Sequence, residues 1–347
     1  MIPRRLMTTR GKDSARLPQK MPELSLMGSP HSVVGAVVVT WNSASWIPGI
    51  LSLLSEASVH GLQKIVFVDA GSTDDTVALL RAEAPKTVEL IESSNRGYAA
   101  ALNVGIRAFG ADRPPFFLLL NPDLKAERGF LDRMLQEISE HPSERIGIAG
   151  TRILEPVDGG GWMAANRRKQ NLWGWPSRRS GDAGIAWTDA THGACLLVRR
   201  EVIERIGFFD EDYFLYWEEI DYCARARRAG FEVARIETAC VWHHPGEVRD
   251  GWNRKSANFY FYNWRNQCLY ARKIYGPWVG AFFLLLRAPL WCRDALRLIR
   301  AGETRILWKA FEGLRMGLLG QTGPAAHASS GKTRRGSASS PGVSQPG

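Results

Sequence analysis

The chain has 347 residues, 45% of them hydrophobic, which is enough apolar material for a full core and excludes a disordered protein. Its formal net charge of +10 is peripheral: residues 1–31 carry +4, residues 272–320 carry +6 and residues 321–347 carry +3, leaving −3 on residues 32–271. That distribution argues against a nucleic-acid groove built into the fold and suits a C-terminal part drawn to an anionic surface.

Residues 1–31 hold Pro, Ser and basic residues without an apolar h-region, so they read as a solvated, disordered tail with no secretory signal. From there apolar runs and helical periods alternate. Val33–Thr40 is expected as a buried strand, Ile47–Glu56 as a helix, Ile65–Asp69 as a strand and Asp74–Glu83 as a helix behind a Ser/Thr/Asp cap. Val88–Glu92, Tyr98–Phe109, Phe116–Leu120, Gly129–His141 and Ile146–Ala149 continue as strand, helix, strand, helix, strand. This βαβα order predicts an α/β fold with a doubly wound, mostly parallel sheet flanked by helices. Residues 155–190, with Gly159-Gly160-Gly161-Trp162 and Trp173-Gly174-Trp175-Pro176, read as loops. Regularity returns with a strand at Gly193–Val198, helices at Glu201–Ile206 and Ile220–Ala229, and a last strand at Ala239–His243.

Beyond it, Gly276–Cys292 is the one membrane-like segment, short of the about 20 apolar residues of a span and interrupted by Arg287 and Pro289. Arg293, Arg297 and Arg300 follow on a helical period, which suits either an interfacial helix on anionic lipid or a helix packed on the preceding domain. Residues 247–320 thus form a C-terminal helical extension, and residues 321–347 a second disordered tail. The five cysteines (Cys195, Cys223, Cys240, Cys268, Cys292) are scattered without a CxxC pair and read as reduced thiols of a cytoplasmic protein.

The chemistry concentrates at strand ends. Phe116–Leu120 is apolar throughout, as a strand buried on both faces must be, and it stops at Asn121-Pro122-Asp123. Pro122 ends the pairing, so Asp123 sits at the carboxyl edge of the sheet, placed to hold a metal or a phosphate. Two other tips share that edge: Thr40-Trp41-Asn42, and Asp69-Ala70-Gly71-Ser72, where Asp69 can accept from the imide of a uracil or thymine. Asn95-Arg96-Gly97-Tyr98 forms a third, with Asn103 in the following helix; Gly97 permits close backbone approach and Arg96 can face a phosphate. Glu218, Glu219 and Asp221 crowd three carboxylates behind Tyr216-Trp217, more than a helix start requires, and one of them can serve as a general base with a raised pKa. His243 or His244 can complete an oxygen-rich metal site with Asp123.

In this order the residues resemble the family 2 glycosyltransferases of GT-A fold, particularly the bacterial rhamnosyltransferase-like branch. The resemblance runs from about Val33 to Gly246. It is most specific at Gly193–Arg200, Gly207–Glu211, Phe214–Asp221 and Ala229-Gly230, with a weaker match at Arg265-Asn266. It implies that Thr40, Asn42 and Asp69 hold the donor nucleotide and that Asn95, Gly97 and Asn103 shape the ribose and diphosphate pocket. It implies further that Asp123 and His243 ligate Mg²⁺ or Mn²⁺, and that Glu219 is the base with Glu218 its alternative. Residues 32–246 would be the transferase domain. The activity implied is inverting transfer of a sugar, rhamnose from dTDP-rhamnose by family likeness, from a dTDP- or UDP-sugar to a saccharide or polyprenyl-linked acceptor. That activity serves cell-surface polysaccharide or cell-wall synthesis, on the cytoplasmic face of the membrane and without nucleic acid. Many relatives carry Asp-x-Asp at Asn121-Pro122-Asp123 and Glu-Asp at Glu218-Glu219. A nucleotide-dependent oxidoreductase and a non-catalytic sugar- or nucleic-acid-binding protein are the competing classes; the missing GxGxxG counts against the first.

Overall fold

The computed structural model describes residues 34–58, 62–141, 145–157, 161–164, 184–244 and 256–325. The expectations for residues 1–31, for the greater part of 321–347, and for Gly159-Gly160, Trp173-Gly174-Trp175-Pro176 and Pro245-Gly246 lie outside these.

The first half alternates as its apolar periodicity dictates: β1 (Val34–Thr40), α1 (Ile47–Ser58), β2 (Leu62–Asp69), α2 (Thr76–Glu83), β3 (Val88–Glu92), α3 (Tyr98–Arg107) and β4 (Phe116–Leu120). Then come β5 (Leu124–Ala126), α4 (Phe130–Glu140), β6 (Ile146–Pro156), β7 (Trp162–Ala164) and β8 (Ile185–Trp187). β9 (Cys195–Arg199), α5 (Arg200–Ile206), α6 (Glu218–Arg228) and β10 (Glu232–His243) complete the α/β part. Among the described residues the strands make one sheet in the order β3-β2-β1-β4-β9-β6-β10-β5, with β7 beside β6 and β8 beside β10. β1 to β4 run parallel, as do β6 and β10, while β9 lies antiparallel between β4 and β6.

β4 ties the two layers together. All five of its residues are buried; Phe116, Leu118 and Leu120 enter one core and Phe117 and Leu119 the other. Each such burial stabilises by about 1.5–3 kcal/mol, so helices must cover both faces.

Three expectations change. β5 was not anticipated, being too short to carry a period. β10 starts at Glu232 rather than Ala239, because the polar residues of its first half are accommodated on a half-buried strand paired with β6. β7 and β8 are short strands inside the region read as loop.

Three helices follow, α7 (Ala257–Tyr270), α8 (Gly276–Arg300) and α9 (Thr304–Leu318). Ser256 caps α7 by accepting from the Phe259 N–H at 3.1 Å. α9 crosses α7 at close range because Gly313 and Gly317 lie against the backbone of Phe261 and Arg265, where any Cβ would collide.

Candidate active site

The strand register brings the predicted residues to one edge in two groups. On one side Thr40 pairs with Asp69 across β1 and β2. The Asp69 carboxylate accepts from Thr40 Oγ1 (3.0 Å), Gly71 N (3.1 Å), Ser72 N (2.8 Å) and Ser72 Oγ (2.5 Å). Four bonds fill the four acceptor positions of a carboxylate, so Asp69 holds the 69–72 turn. Asn42, at φ 49°, donates its N–H to Ser72 Oγ (2.8 Å), and its Oδ1 accepts from Thr73 N (2.8 Å), lacing the two tips together. Asn95 Oδ1 accepts from Gly97 N at 3.1 Å. Gly97, at φ 100°, packs against the Phe214 backbone, where a Cβ would overlap it, and Tyr98 N donates to Phe214 O at 2.8 Å. The 214–217 turn is thereby pinned to this lip.

Asn103 lies within α3. It is 1% exposed and its amide is spent on Phe209 N and O (3.0 and 2.9 Å) and Glu211 Oε1 (3.0 Å). Its amide thus ties α3 to the 207–211 loop. Arg96 likewise pairs with Glu211 at 2.5 Å.

The second group converges on Asp123 through β5. Leu124 of β5 faces His243 of β10, so a proline turn and three residues carry Asp123 beside a histidine 120 positions away; Asp123 Oδ1 lies 3.5 Å from His243 Nε2. β6 pairs Leu154 with Trp242, which sets Glu155 next to His243, Oε1 to Nδ1 at 3.1 Å. β9 runs antiparallel to β4 with Cys195 opposite Leu120, so His192 enters from its other end. Its Nε2 is 3.7 Å from Glu155 Oε1. Donor atoms of Glu155, His192 and His243 all lie within 4.8 Å of one another. Asp123 is 8% exposed, and its Oδ1 has no hydrogen-bond partner among the described residues.

Two imidazoles in one cluster titrate apart. Burial lowers His192 and the neighbouring His243 lowers it further, to about 4, so it stays neutral. Burial also opposes charge on His243, but its hydrogen bond to Glu155 and the nearby Asp123 and Glu155 carboxylates prevail and raise it to about 9. With no cation bound, the imidazolium therefore supplies the positive charge that the buried Asp123 and the half-buried Glu155 carboxylates require. A mixed oxygen and imidazole donor set with an orphaned carboxylate oxygen fits a divalent cation.

The third component is the start of α6. Tyr216 and Trp217 both adopt positive φ (66° and 76°), a strained pair that turns the chain sharply into the helix. α7 holds it in place. Asn266 Nδ2 donates to the carbonyls of Leu215 (2.9 Å) and Tyr216 (2.7 Å), and Trp217 Nε1 donates to Asn263 Oδ1 (2.7 Å). Arg265 Nε in turn fixes Asn266 Oδ1 (2.8 Å). The strained turn gives Glu218 and Glu219 different settings. Burial and the adjacent Glu219 hold the Glu218 carboxyl well above its ordinary range, while burial pushes Glu219 to about 7. Oε2 of each lacks a partner among the described residues, and Glu219 lies against Gly193. Tyr98 shares this pocket: its buried hydroxyl is unpartnered, and burial, Glu218, Glu219 and Asp123 raise its pKa. Asp221, grouped with the two glutamates on sequence, is instead fixed by Arg225 Nε at 2.7 Å and by Tyr213 Oη at 3.4 Å. It anchors the helix.

Glu155, His192 and Tyr98 escaped the sequence reading. His192 precedes the most specific strand motif by one residue, and Tyr98 ends a tip already singled out; those were the available signals.

Residues 36–207 match the family model described as Glycosyl transferase family 2. Over 240 residues the chain is 28% identical to N-acetylglucosaminyl-diphospho-decaprenol L-rhamnosyltransferase of Mycobacterium tuberculosis, covering 61% of this chain and 76% of that one. It is 26% identical over 246 residues to the low-salt glycan biosynthesis hexosyltransferase Agl10 of Haloferax volcanii, covering 69% and 75%. The mannosyltransferase PcManGT of Pyrobaculum calidifontis, solved in complex with GDP-Man and Mn²⁺, shares the fold with a TM-score of 0.54 at 17% identity, over 83% of this chain and 87% of that one.

Proposed function

The chain belongs to the family 2 glycosyltransferases and has their GT-A fold, and from that premise we propose that it inverts the anomeric centre of a sugar moved from a nucleoside diphosphate to a saccharide or polyprenyl-linked acceptor. The observation that carries this reading is the convergence of Asp123, Glu155, His192 and His243 at the sheet edge that also receives Glu218 and Glu219.

The nucleotide rests on the tips of β1 to β3, where Thr40, Asn42 and Asp69 hold a rigid turn and Gly97 lets the backbone come close. Asp123 and His243, the imidazole giving up its proton on binding, would hold a divalent cation, Mg²⁺ or Mn²⁺, with Glu155 and His192 in reach, and bound there it would supply the positive charge that lets the nucleoside diphosphate leave. Glu219 accepts the proton of the acceptor hydroxyl as that oxygen attacks the anomeric carbon. The bond to the diphosphate oxygen breaks on the opposite face, and its electron pair departs with the diphosphate. Glu218, kept protonated beside it, leaves Glu219 as the base. The names of the mycobacterial and haloarchaeal relatives support a hexose or deoxyhexose donor. Rhamnose from dTDP-rhamnose is our first assignment, with the reaction on the cytoplasmic face of a membrane, where the protein sits peripherally.

A donor screen tests this: protein, Mn²⁺, a panel of nucleotide sugars and membrane extract, with released nucleoside diphosphate as the readout. dTDP release from dTDP-rhamnose is expected; release from none of the panel overturns the reading.

A further inference from the structure

The outer face of α8 is built the wrong way round for a helix in water. Phe283 and Leu298 point inward, yet Trp278, Phe282, Leu285, Leu286, Leu296 and Ile299 are exposed, Trp278 by 88%. Their spacing follows the helical repeat, so they form one stripe along a 25-residue helix about 37 Å long. α9 exposes apolar side chains as well, Trp308 by 75% and Phe311 in part. An outward apolar stripe of this length exceeds what a soluble monomer ordinarily leaves uncovered.

Charge identifies what covers it. Arg293, Arg297 and Arg300 stand exposed along the C-terminal half of α8, and Arg305 opens α9. A second copy on this face would bring the same +6 of residues 272–320 against it. The tails of this chain, at +4 and +3, repel the same face. A nucleic acid would satisfy the arginines but not the stripe. No helix among the described residues is long and apolar enough to cross a membrane. An apolar stripe with a tryptophan near its start and basic residues interleaved matches a helix that lies in the headgroup region of an anionic bilayer.

We propose that the outer face of α8 and α9 is a docking surface for anionic lipid, with Trp278, Phe282 and Trp308 entering the acyl boundary and Arg297, Arg300 and Arg305 meeting headgroup phosphates. This deepens the peripheral-membrane reading above and rests on it, but not on the transfer chemistry. The face is also wired to the base-bearing turn: Arg287 Nε and Trp291 Nε1 donate to Gln267 Oε1 (2.8 and 3.2 Å), and Gln267 Nε2 reaches Asn263 (3.0 Å), the partner of Trp217. A docked enzyme thus holds its catalytic turn in a fixed relation to the bilayer.

The test is co-sedimentation of the full chain with vesicles of phosphatidylcholine alone and of phosphatidylcholine mixed with phosphatidylglycerol, at low and high salt. Binding to the mixed vesicles is expected, weakened by salt and abolished by Trp278→Glu with Phe282→Glu. Arg297→Gln with Arg300→Gln should weaken it about thirtyfold. UDP and dTDP binding by calorimetry should be unchanged in these variants, which reports an intact fold. Equal binding to neutral vesicles, no binding to either, or a vesicle-free dimer broken by Trp278→Glu overturns the proposal. If instead the wild type docks on vesicles but binds no nucleotide, the transferase reading fails and the docking surface stands.

Discussion

The two lips of the site differ in how their polar atoms are spent. On the β1–β3 lip almost every one is already paired: Asp69 accepts four hydrogen bonds, and Asn42 and Asn95 close turns. On the lip built by β4, β5, β6, β10 and α6, Asp123 Oδ1, Glu218 Oε2 and Glu219 Oε2 are buried without hydrogen-bond partners among the described residues, as is the Tyr98 hydroxyl that meets them from the start of α3. A leftover buried acceptor costs about 1–3 kcal/mol, and several together mark a site completed by a ligand rather than by the protein. One lip is a preformed cradle; the other waits for a cation and a proton donor.

That contrast can be broken most severely at Asp123. Asp123→Ala should lower turnover by at least about a thousandfold, read as nucleoside diphosphate release, with Mn²⁺ no longer tightening nucleotide binding. Glu219→Gln should reduce kcat by about 10²–10⁴-fold and leave nucleotide affinity intact. In the wild type kcat should rise with pH through about 7 as Glu219 loses its proton, a limb absent from the residual activity of the variant. The same carboxyl carries a stability signature. With its folded pKa raised, the native state binds more protons than the unfolded chain between the ordinary glutamate value and about 7, so stability is lost as pH rises through that window and levels off above it. Glu219→Gln removes that loss, and its Tm at neutral pH should exceed that of the wild type.

Smaller effects sharpen the contrast. Asn266→Ala frees the Leu215 and Tyr216 carbonyls beneath a strained turn and should cost about 1–3 kcal/mol of stability by denaturant unfolding. Its kcat should drop while nucleotide affinity holds, since the base moves and the cradle does not. Asn95→Ala removes one exposed turn bond and should change stability by no more than about 0.5–1.5 kcal/mol, with a modest rise in KM for the donor.

What the sequence disclosed follows from the range of its signals. β1 to β4 announce themselves because uniformly apolar runs and helical periods are local, and Asp123, His243 and Glu219 stand at the ends of such runs. β5 has three residues and no period, yet its register is what joins Asp123 to His243. Glu155 and His192 reach the site through strand pairings across β6, β9 and β10, which local patterning does not encode. Asn103 bonds to Phe209 across 106 positions, which local patterning does not encode, whereas Asp221 pairs with Arg225 one helical turn on.

The most direct measurement is calorimetric titration of dTDP and UDP into the wild type and Asp123→Ala, each with and without Mn²⁺. Mn²⁺ should tighten nucleotide binding in the wild type and have no effect in the variant, whose cradle on β1–β3 still gives weak, metal-independent binding. Nucleotide binding that ignores Mn²⁺ in the wild type, or a full Mn²⁺ response in Asp123→Ala, would contradict the division between the two lips.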